Sequence, residues 1–261
     1  MAIPTSDSQD DRPIVWFDID NTLYSASTNI SQAMGVRIHG MRPTSFVNKY
    51  TGVNDIVAYF VGLGLDEQEA SELHHQYYSQ YGLALAGLVP KSRHPLDFDR
   101  KCDGALPLEE MIQYSPSLRK LFEDIDRSKV RVWALTNAYR PHAERVLRIL
   151  GLTDLVDGLV YCDYEAKDLI AKPEYAYYDK AMKIANVYDP SKCYFIDDNK
   201  RNVNAAKELG WGHCVHFCEG GLVHVEGGKA EEIKSIVKHE DDISVSDLEQ
   251  LRTVWPEIFK A

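Results

Sequence analysis

Short apolar runs with the length of a buried β-strand recur along the chain. They occupy residues 14–17, 130–135, 159–162, 193–196 and 213–217. From residue 116 onward, segments with apolar residues at helical spacing separate these runs. Alternation of strands with helices is typical of a mostly parallel sheet. We therefore predict an α/β fold with a Rossmann-like, mostly parallel sheet flanked by helices.

The segment between residues 27 and 114 lacks this strand pattern and carries helical signals instead. Asp66 and Glu69 have the spacing of a capping box, and Pro107 suits the first turn of a short helix. Further helical stretches are predicted at 233–237 and 245–251. The predicted division is a flexible tail at 1–11, an α/β core at 12–26 and 115–261, and an inserted helical cap at 27–114.

Composition and net charge argue against several classes of protein. The chain has 261 residues, of which 44% are hydrophobic, and no apolar run has the length of a membrane span. The net charge of −11 argues against nucleic acid polymers as partners, because basic surfaces bind them. The five cysteines lack paired spacing, and the first residues lack the pattern of a signal peptide. We expect a cytoplasmic protein, or one that is also nuclear, without a membrane partner.

The first apolar run ends in Asp18-Ile19-Asp20-Asn21-Thr22. Residues two apart in a strand project to the same side, so the two carboxylates would repel each other if the strand continued. Either the chain turns here, as in an Asx turn, or a cation lies between the carboxylates. The motif alone leaves both interpretations open.

Two more predicted strands also end in polar residues. Thr136 and Asn137 follow one of them, and Asp197 and Asp198 follow the other. In a parallel sheet these ends lie on one edge, where open α/β sheets bind ligands. An oxygen-rich cluster of this kind suits a hard cation such as Mg²⁺, with Lys172 as a second positive charge.

The order of these residues resembles the four motifs of the haloacid dehalogenase superfamily. In this chain they are Asp18-Ile19-Asp20-Asn21-Thr22, Thr136-Asn137, Lys172-Pro173 and Asp197-Asp198. The resemblance covers residues 12–26 and 115–220, and it implies a helical cap between the first two motifs, where the helical insertion lies. It also implies a Mg²⁺-dependent phosphate-monoester hydrolase that works through an aspartyl-phosphate.

The resemblance implies a role for the residues that would contact the substrate. Asp18 would attack phosphorus, and Asp20 would protonate the leaving oxygen and later deprotonate water. Thr136 and Lys172 would hold the phosphoryl oxygens, with Asn137 assisting them. An acid at position 20 favours phosphoryl transfer over dehalogenation, which has no alkoxide to protonate.

The resemblance further implies how Mg²⁺ would be bound. The carboxylates of Asp18 and Asp197 and the backbone carbonyl of Asp20 would be its ligands. Asp198 would orient the metal's water or Lys172.

Within the superfamily, residues 17–24 and 77–84 are similar to fungal pyrimidine nucleotidases. This likeness implies a nucleoside 5′-monophosphate as substrate, with Tyr24, Tyr78 or Tyr81 stacked on the base. A phosphatase of sugar phosphates or of another small metabolite is the alternative within the same chemistry. A phosphomutase and a catalytically silent binding protein are further alternatives.

Residues 35–52 depart from the family pattern. The resemblance implies one amphipathic cap helix from near residue 30 into the segment 57–60. However, 35–52 has no clear helical face, and Pro43 would interrupt a helix. We predict an added loop here, either a genuine insertion or the translation of an unspliced intron.

Overall fold

The computed structural model describes residues 10–39, 59–81, 85, 95–219, 224–226, 229–231 and 243–261, and at 78–81, 224–226 and 229–231 it describes the backbone alone. The helices and strands are β1 (Ile14–Phe17), α1 (Ile30–His39), α2 (Glu67–Tyr81), α3 (Pro95–Lys101), α4 (Leu108–Met111), α5 (Pro116–Asp124), β2 (Arg131–Leu135), α6 (Arg140–Ile149), β3 (Gly158–Val160), α7 (Tyr175–Ile184), β4 (Cys193–Asp197), α8 (Lys200–Glu208), β5 (His213–Phe217), β6 (His224–Glu226), β7 (Lys229–Glu231), β8 (Ile243–Val245) and α9 (Leu251–Val254). None of these described helices combines the length and the hydropathy that a bilayer span requires. The five cysteines form no disulfide.

Six strands form one parallel sheet in the order β3-β2-β1-β4-β5-β8. The first strand, β1, lies between β2 and β4, and Phe17 is in register with Ala134 on one side and Ile196 on the other. All four residues of β1 are buried, as expected for a strand with helices on both faces. The predicted α/β class and mostly parallel sheet are confirmed.

Alternate residues of β1 enter two separate hydrophobic cores. Val15 and Phe17 pack in one core with residues of α5 and α6, and the ring centroids of Phe17 and Phe122 are 4.6 Å apart. Ile14 and Trp16 pack in the other core with residues of α7 and α8. Because strand side chains project to opposite faces in turn, the helices form one layer on each side of the sheet.

The helix predicted at 245–251 is wrong at its beginning. Val245 is the last residue of β8, and it is in register with Phe217 of β5. Both side chains are buried in the same core, so packing of a β-branched residue on the sheet outweighs the helical pattern. Helical structure begins at Leu248, in a 3-10 segment that precedes α9. The helix predicted at 233–237 lies outside the described residues.

The described parts of the predicted cap, residues 27–114, contain α1–α4 and short 3-10 segments. The capping box predicted before α2 is confirmed. The backbone N–H of Glu69 donates to Asp66 Oδ1 at 2.9 Å, and the backbone N–H of Asp66 donates to Glu69 Oε2 at 3.3 Å. These bonds satisfy backbone donors that have no partner inside the helix, so the helix begins here. The boundaries of the cap stay a prediction.

The loop predicted at 35–52 is wrong for its first five residues, which complete α1. Val36 and Ile38 are buried, and the carbonyl of Ile38 accepts the backbone N–H of Phe60 at 2.7 Å. Buried apolar side chains and this contact with the following chain extend the helix to His39. Residues 40–52 lie outside the described part of the chain.

His74 of α2 is a buried histidine beside a third hydrophobic core, which includes Phe60. Its ring centroid lies 5.3 Å from that of His39 and 6.4 Å from that of Phe60. The side chain is buried, and its Nδ1 has no hydrogen-bond partner among the described residues. Burial, with smaller contributions from His39 and His75, lowers the pKa of His74 to about 3. The imidazole is therefore neutral in the folded protein at neutral pH.

We expect acidification to destabilise the protein through His74. The unfolded chain protonates this residue near its ordinary pKa of 6.5, whereas the folded chain does so only near pH 3. The free energy of unfolding should therefore fall as the pH drops below about 6.5, by roughly 2 kcal/mol at pH 5. Urea unfolding of the wild type and of His74→Leu at pH 7.5 and pH 5 measures this difference.

Between pH 7.5 and pH 5, His74→Leu should lose roughly 2 kcal/mol less stability than the wild type. His213→Leu, which replaces an exposed histidine, should keep the loss seen in the wild type. Equal losses in the wild type and in His74→Leu would contradict the prediction.

Candidate active site

Three strand ends meet at the carboxyl edge of the sheet. Asp18 directly follows β1, Thr136 follows β2, and Asp197 is the last residue of β4. The backbone N–H of Asp18 donates to the carbonyl of Ile196 at 3.0 Å, so the sheet ladder continues into this edge. Because β1 lies between β2 and β4, the fold brings the three buried polar side chains together.

Lys172 places a buried positive charge at this edge. Its Nζ donates to Asp18 Oδ1, to Asp197 Oδ2 and to the carbonyl oxygen of Leu135, each at 2.7 Å. Only 1% of the side chain is exposed. Burial lowers the pKa of Lys172, but the two carboxylates raise it further, so the result lies above the ordinary value. The ammonium group is therefore charged, and the protein accepts all three of its hydrogen bonds.

Asn137 holds the backbone of Lys172. Its Oδ1 accepts the backbone N–H of Lys172 at 2.7 Å, and its Nδ2 donates to the carbonyl of Lys172 at 2.8 Å. The amide thus fixes the loop that carries the lysine. The substrate-binding role predicted for Asn137 stays a prediction beside this one.

Two further side chains orient the carboxylates, and the sequence analysis gave neither of them a role. The hydroxyl of Thr22 donates to Asp18 Oδ2 at 2.9 Å. Asn202 Nδ2 lies 3.0 and 3.1 Å from the two oxygens of Asp197, and the backbone N–H of Asn199 donates to Asp197 Oδ1 at 2.8 Å. An amide in the first turn of a helix that follows an acidic strand end is the signal that identifies Asn202 in retrospect.

Three carboxylates at this edge could hold a metal ion. Oxygens of Asp18, Asp197 and Asp198 all lie within 4.8 Å of one another. Burial raises the pKa of Asp18 and of Asp198, and neighbouring carboxylates add to the shift against the opposing charge of Lys172. The single ammonium group of Lys172 therefore does not balance the negative charge of the three carboxylates. An all-oxygen donor set of this kind fits Mg²⁺, and Asp198, predicted only to orient the metal's water or Lys172, lies among the candidate ligands.

The Asp20 side chain is bonded differently from that of Asp18. Its Oδ1 lies 2.8 Å from His142 Nε2 and accepts the hydroxyl of Tyr24 at 2.8 Å. Its Oδ2 is 3.5 Å from the hydroxyl oxygen of Thr136. Burial opposes ionisation of Asp20, but the charge and hydrogen bond of His142 outweigh it and lower the pKa of the carboxyl. Asp18 and Asp20 therefore belong to two separate hydrogen-bond networks.

His142 lies in the first turn of α6, and sequence reasoning did not identify it. Burial lowers the pKa of His142, but Asp20 and, to a smaller extent, Asp103 raise it, to about 9. Its position, six residues after Thr136 and at the start of the next helix, is the feature of the sequence that could have indicated His142. In an α/β sheet such a helix begins at the same edge as the strand ends.

Of the three tyrosines predicted to stack on a base, only Tyr24 has a described side chain. Tyr24 is 7% exposed, its ring packs in the core with Val15 and Phe17, and its hydroxyl binds Asp20. The hydroxyl of Tyr24 thus binds Asp20, and stacking of its ring on a base stays a prediction. The side chains of Tyr78 and Tyr81 lie outside the described residues, and their role stays a prediction.

This α/β fold, with acidic side chains and a buried lysine at the carboxyl ends of central parallel strands, defines a class of hydrolases. The sequence matches the haloacid dehalogenase-like hydrolase family over residues 13–210. The chain therefore belongs to this family. The resemblance drawn from the four motifs is confirmed.

Three relatives show how far the likeness extends. The chain is 33% identical over 217 residues to Phosphate metabolism protein 8 of Saccharomyces cerevisiae, covering 80% of this chain and 62% of that protein, so it spans less than two thirds of this relative. It is 26% identical over 254 residues to validoxylamine A 7′-phosphate phosphatase of Streptomyces hygroscopicus subsp. limoneus, covering 94% of this chain and 97% of the other. The crystal structure of CbbY from Rhodobacter sphaeroides in complex with phosphate has a TM-score of 0.56 at 18% identity, covering 92% and 96% of the two chains, and supports the fold.

Lys172→Met should destabilise the protein, because it leaves buried carboxylates without their cation. We expect the free energy of unfolding to fall by about 3–5 kcal/mol. Added Mg²⁺ should raise the melting temperature of this variant more than that of the wild type, because a bound cation replaces part of the missing charge. Thermal unfolding with and without Mg²⁺ measures both effects.

The matched control is Lys192→Met, which removes a partly exposed lysine 2.7 Å from Asp11. Its effect should stay below about 1 kcal/mol and should not depend on Mg²⁺. A Lys172→Met protein as stable as the wild type in metal-free buffer would refute the role given to this charge.

Proposed function

We propose that this protein is a Mg²⁺-dependent hydrolase of phosphate monoesters that works through an aspartyl-phosphate at Asp18. The observation that carries the proposal is the pair Asp18 and Asp20, two residues apart, with separate partners. Asp18 is bonded to Lys172 and Thr22, as suits a nucleophile that must be fixed and charged. Asp20 is about one-third exposed and bonded to His142 and Tyr24, as suits a group that exchanges protons with a substrate.

The proposed reaction has two displacements at phosphorus. In the first, a bond forms between a carboxylate oxygen of Asp18 and phosphorus while the ester oxygen–phosphorus bond breaks. Asp20 gives its proton to the leaving oxygen, so an alcohol departs. In the second, Asp20 takes a proton from water as the water attacks phosphorus. The bond to Asp18 then breaks, and inorganic phosphate leaves.

Thr136 and Lys172 are the residues proposed to hold the non-bridging phosphoryl oxygens. Lys172 would do so by exchanging one of the three hydrogen bonds that it donates to the protein. Thr136 Oγ1 accepts the backbone N–H of Ala138 at 3.0 Å, while its contact with Asp20 Oδ2 is long, at 3.5 Å. Its hydroxyl hydrogen is thus weakly bound and suited to a phosphoryl oxygen. Mg²⁺, held by Asp18, Asp197 or Asp198 and the backbone carbonyl of Asp20, would supply positive charge against the phosphoryl oxygens.

The substrate we propose is a nucleoside 5′-monophosphate with a pyrimidine base. The similarity of residues 17–24 and 77–84 to pyrimidine nucleotidases supports this assignment. The helical cap proposed at 27–114 would cover the ribose and the base, with Tyr78 or Tyr81 as candidate stacking partners. The reacting end of the substrate would lie at the sheet edge in every case.

A sugar phosphate or another small phosphorylated metabolite is the second candidate. One relative, which matches nearly the full length of both chains, is named for the phosphate ester of validoxylamine A. The residues at the sheet edge would serve either substrate, because both present the same phosphoryl group. The two candidates therefore differ only in what the remaining part of the protein accepts.

Phosphate release from a panel of esters tests the proposal. We expect release that depends on Mg²⁺ and stops with EDTA. We also expect kcat/KM for UMP or CMP to exceed that for ribose 5-phosphate and glucose 6-phosphate by roughly tenfold or more. A higher value for a sugar phosphate would favour the second candidate. An isomerised sugar phosphate without free phosphate would indicate a mutase, and a panel without any turnover would contradict the proposal.

The same assay needs a variant that removes the nucleophile. Asp18→Asn should lower kcat by roughly a thousandfold or more, because an amide oxygen does not form the phosphorylated intermediate. Asp154→Asn is the matched control, since Asp154 is exposed and paired with Arg119 on the surface. Unchanged turnover in Asp18→Asn would exclude this residue as the nucleophile.

A further inference from the structure

His142 is a buried polar side chain that the reaction above does not use. It is 6% exposed, and its Nε2 lies 2.8 Å from Asp20 Oδ1. Its Nδ1 is also buried and has no hydrogen-bond partner within the described ranges. An aliphatic residue would fill this space without burying unsatisfied polar atoms, so the contact with Asp20 is the feature that requires an imidazole here.

The two oxygens of Asp20 have unequal surroundings. Oδ1 is in contact with both His142 and the hydroxyl of Tyr24, each at 2.8 Å. Oδ2 is only 3.5 Å from the hydroxyl oxygen of Thr136. Both donors to Oδ1 are buried, whereas 32% of the Asp20 side chain is exposed. Buried donors therefore fix one oxygen of a carboxyl group that a substrate can reach.

We propose that His142, together with Tyr24, is a positioning residue for Asp20, and that Oδ2 is the oxygen that exchanges the proton. The inference rests on the proposed function of Asp20 as acid and base. Two donors on Oδ1 prevent rotation of the carboxyl group and keep Oδ2 in one direction relative to Asp18. Proton transfer requires the donor oxygen within hydrogen-bond distance of the leaving oxygen, so this direction determines the rate.

The proton balance of the two half-reactions agrees with this assignment. The first half-reaction begins when Oδ2 has taken up a proton, against the lowering of the Asp20 pKa by His142. This proton then moves to the ester oxygen as the bond to phosphorus breaks. Asp20 becomes a carboxylate, whose negative charge the two hydrogen bonds on Oδ1 stabilise. In the second, Oδ2 takes the proton of the attacking water, and Oδ1 keeps the same two contacts. His142 and Tyr24 gain or lose no atom in either step.

Leaving-group dependence distinguishes a positioning role from a structural one. p-Nitrophenyl phosphate has a leaving group that departs without protonation, whereas the alkoxide of ribose 5-phosphate needs a proton. His142→Leu should lower kcat/KM for ribose 5-phosphate by roughly a hundredfold and change that for p-nitrophenyl phosphate by less than about threefold. His142→Gln, whose amide can donate to the same oxygen, should recover part of the loss.

Tyr24→Phe removes the second donor from Oδ1 and should show the same selectivity with a smaller loss. Tyr194→Phe is its matched control, because that buried hydroxyl binds Glu257 at 2.9 Å and does not contact Asp20. For this control, kcat/KM for both esters should equal that of the wild type. In an Asp20→Asn background, the added His142→Leu change should cause no further selective loss, because the group that it positions is already absent.

Equal losses for the two esters in His142→Leu and Tyr24→Phe would overturn the inference. A further selective loss in the Asp20→Asn background would also overturn it. If circular dichroism shows that His142→Leu is unfolded, His142→Gln and Tyr24→Phe decide the question by the same criterion. A wild-type protein that releases phosphate from no ester, UMP and CMP included, would contradict the proposed function itself, and the inference would fall with it.

Discussion

The site depends on the burial of one positive charge among several negative ones. Lys172 donates all three of its hydrogen bonds to the protein, two of them to the carboxylates of Asp18 and Asp197. Each of these charged groups would be costly to bury alone, and the ammonium group reduces that cost for both carboxylates, as they do for it. The balance is incomplete, because burial still raises the pKa of Asp18 and of Asp198. A divalent cation at this edge would complete it, which is the electrostatic reason for proposing a metal here.

Sheet topology explains why the chain can gather these groups. Three neighbouring strands, β2, β1 and β4, end at one edge, and a strand end fixes the direction of the residue that follows it. The alternation of apolar runs with helical segments was therefore enough to predict the α/β class. The polar residues after three of those runs were enough to predict that Asp18, Thr136 and Asp197 meet. The convergence of carboxylates from two strand ends at one edge is what led the sequence to predict a cation site.

Sequence reasoning did not predict which residues several of the polar side chains contact. Asn137 stands in a motif, yet its amide holds the loop of Lys172, and nothing in its own neighbourhood along the chain indicates that partner. His142 meets Asp20 across 122 positions. Tyr24 follows Asp20 closely, but only the packed core shows that its ring is buried. The strand that ends at Val245 was missed for a related reason, since its partner strand decides its structure.

The position of a bound metal tests the account most directly. Crystals of the protein grown with Mn²⁺ in place of Mg²⁺ would locate the ion by its anomalous scattering. We predict one ion at the sheet edge, coordinated by Asp18 together with Asp197 or Asp198, with Lys172 still bonded beside it. An ion bound elsewhere, or no ion at saturating Mn²⁺, would contradict the claim that this cluster is a metal site balanced by a buried lysine.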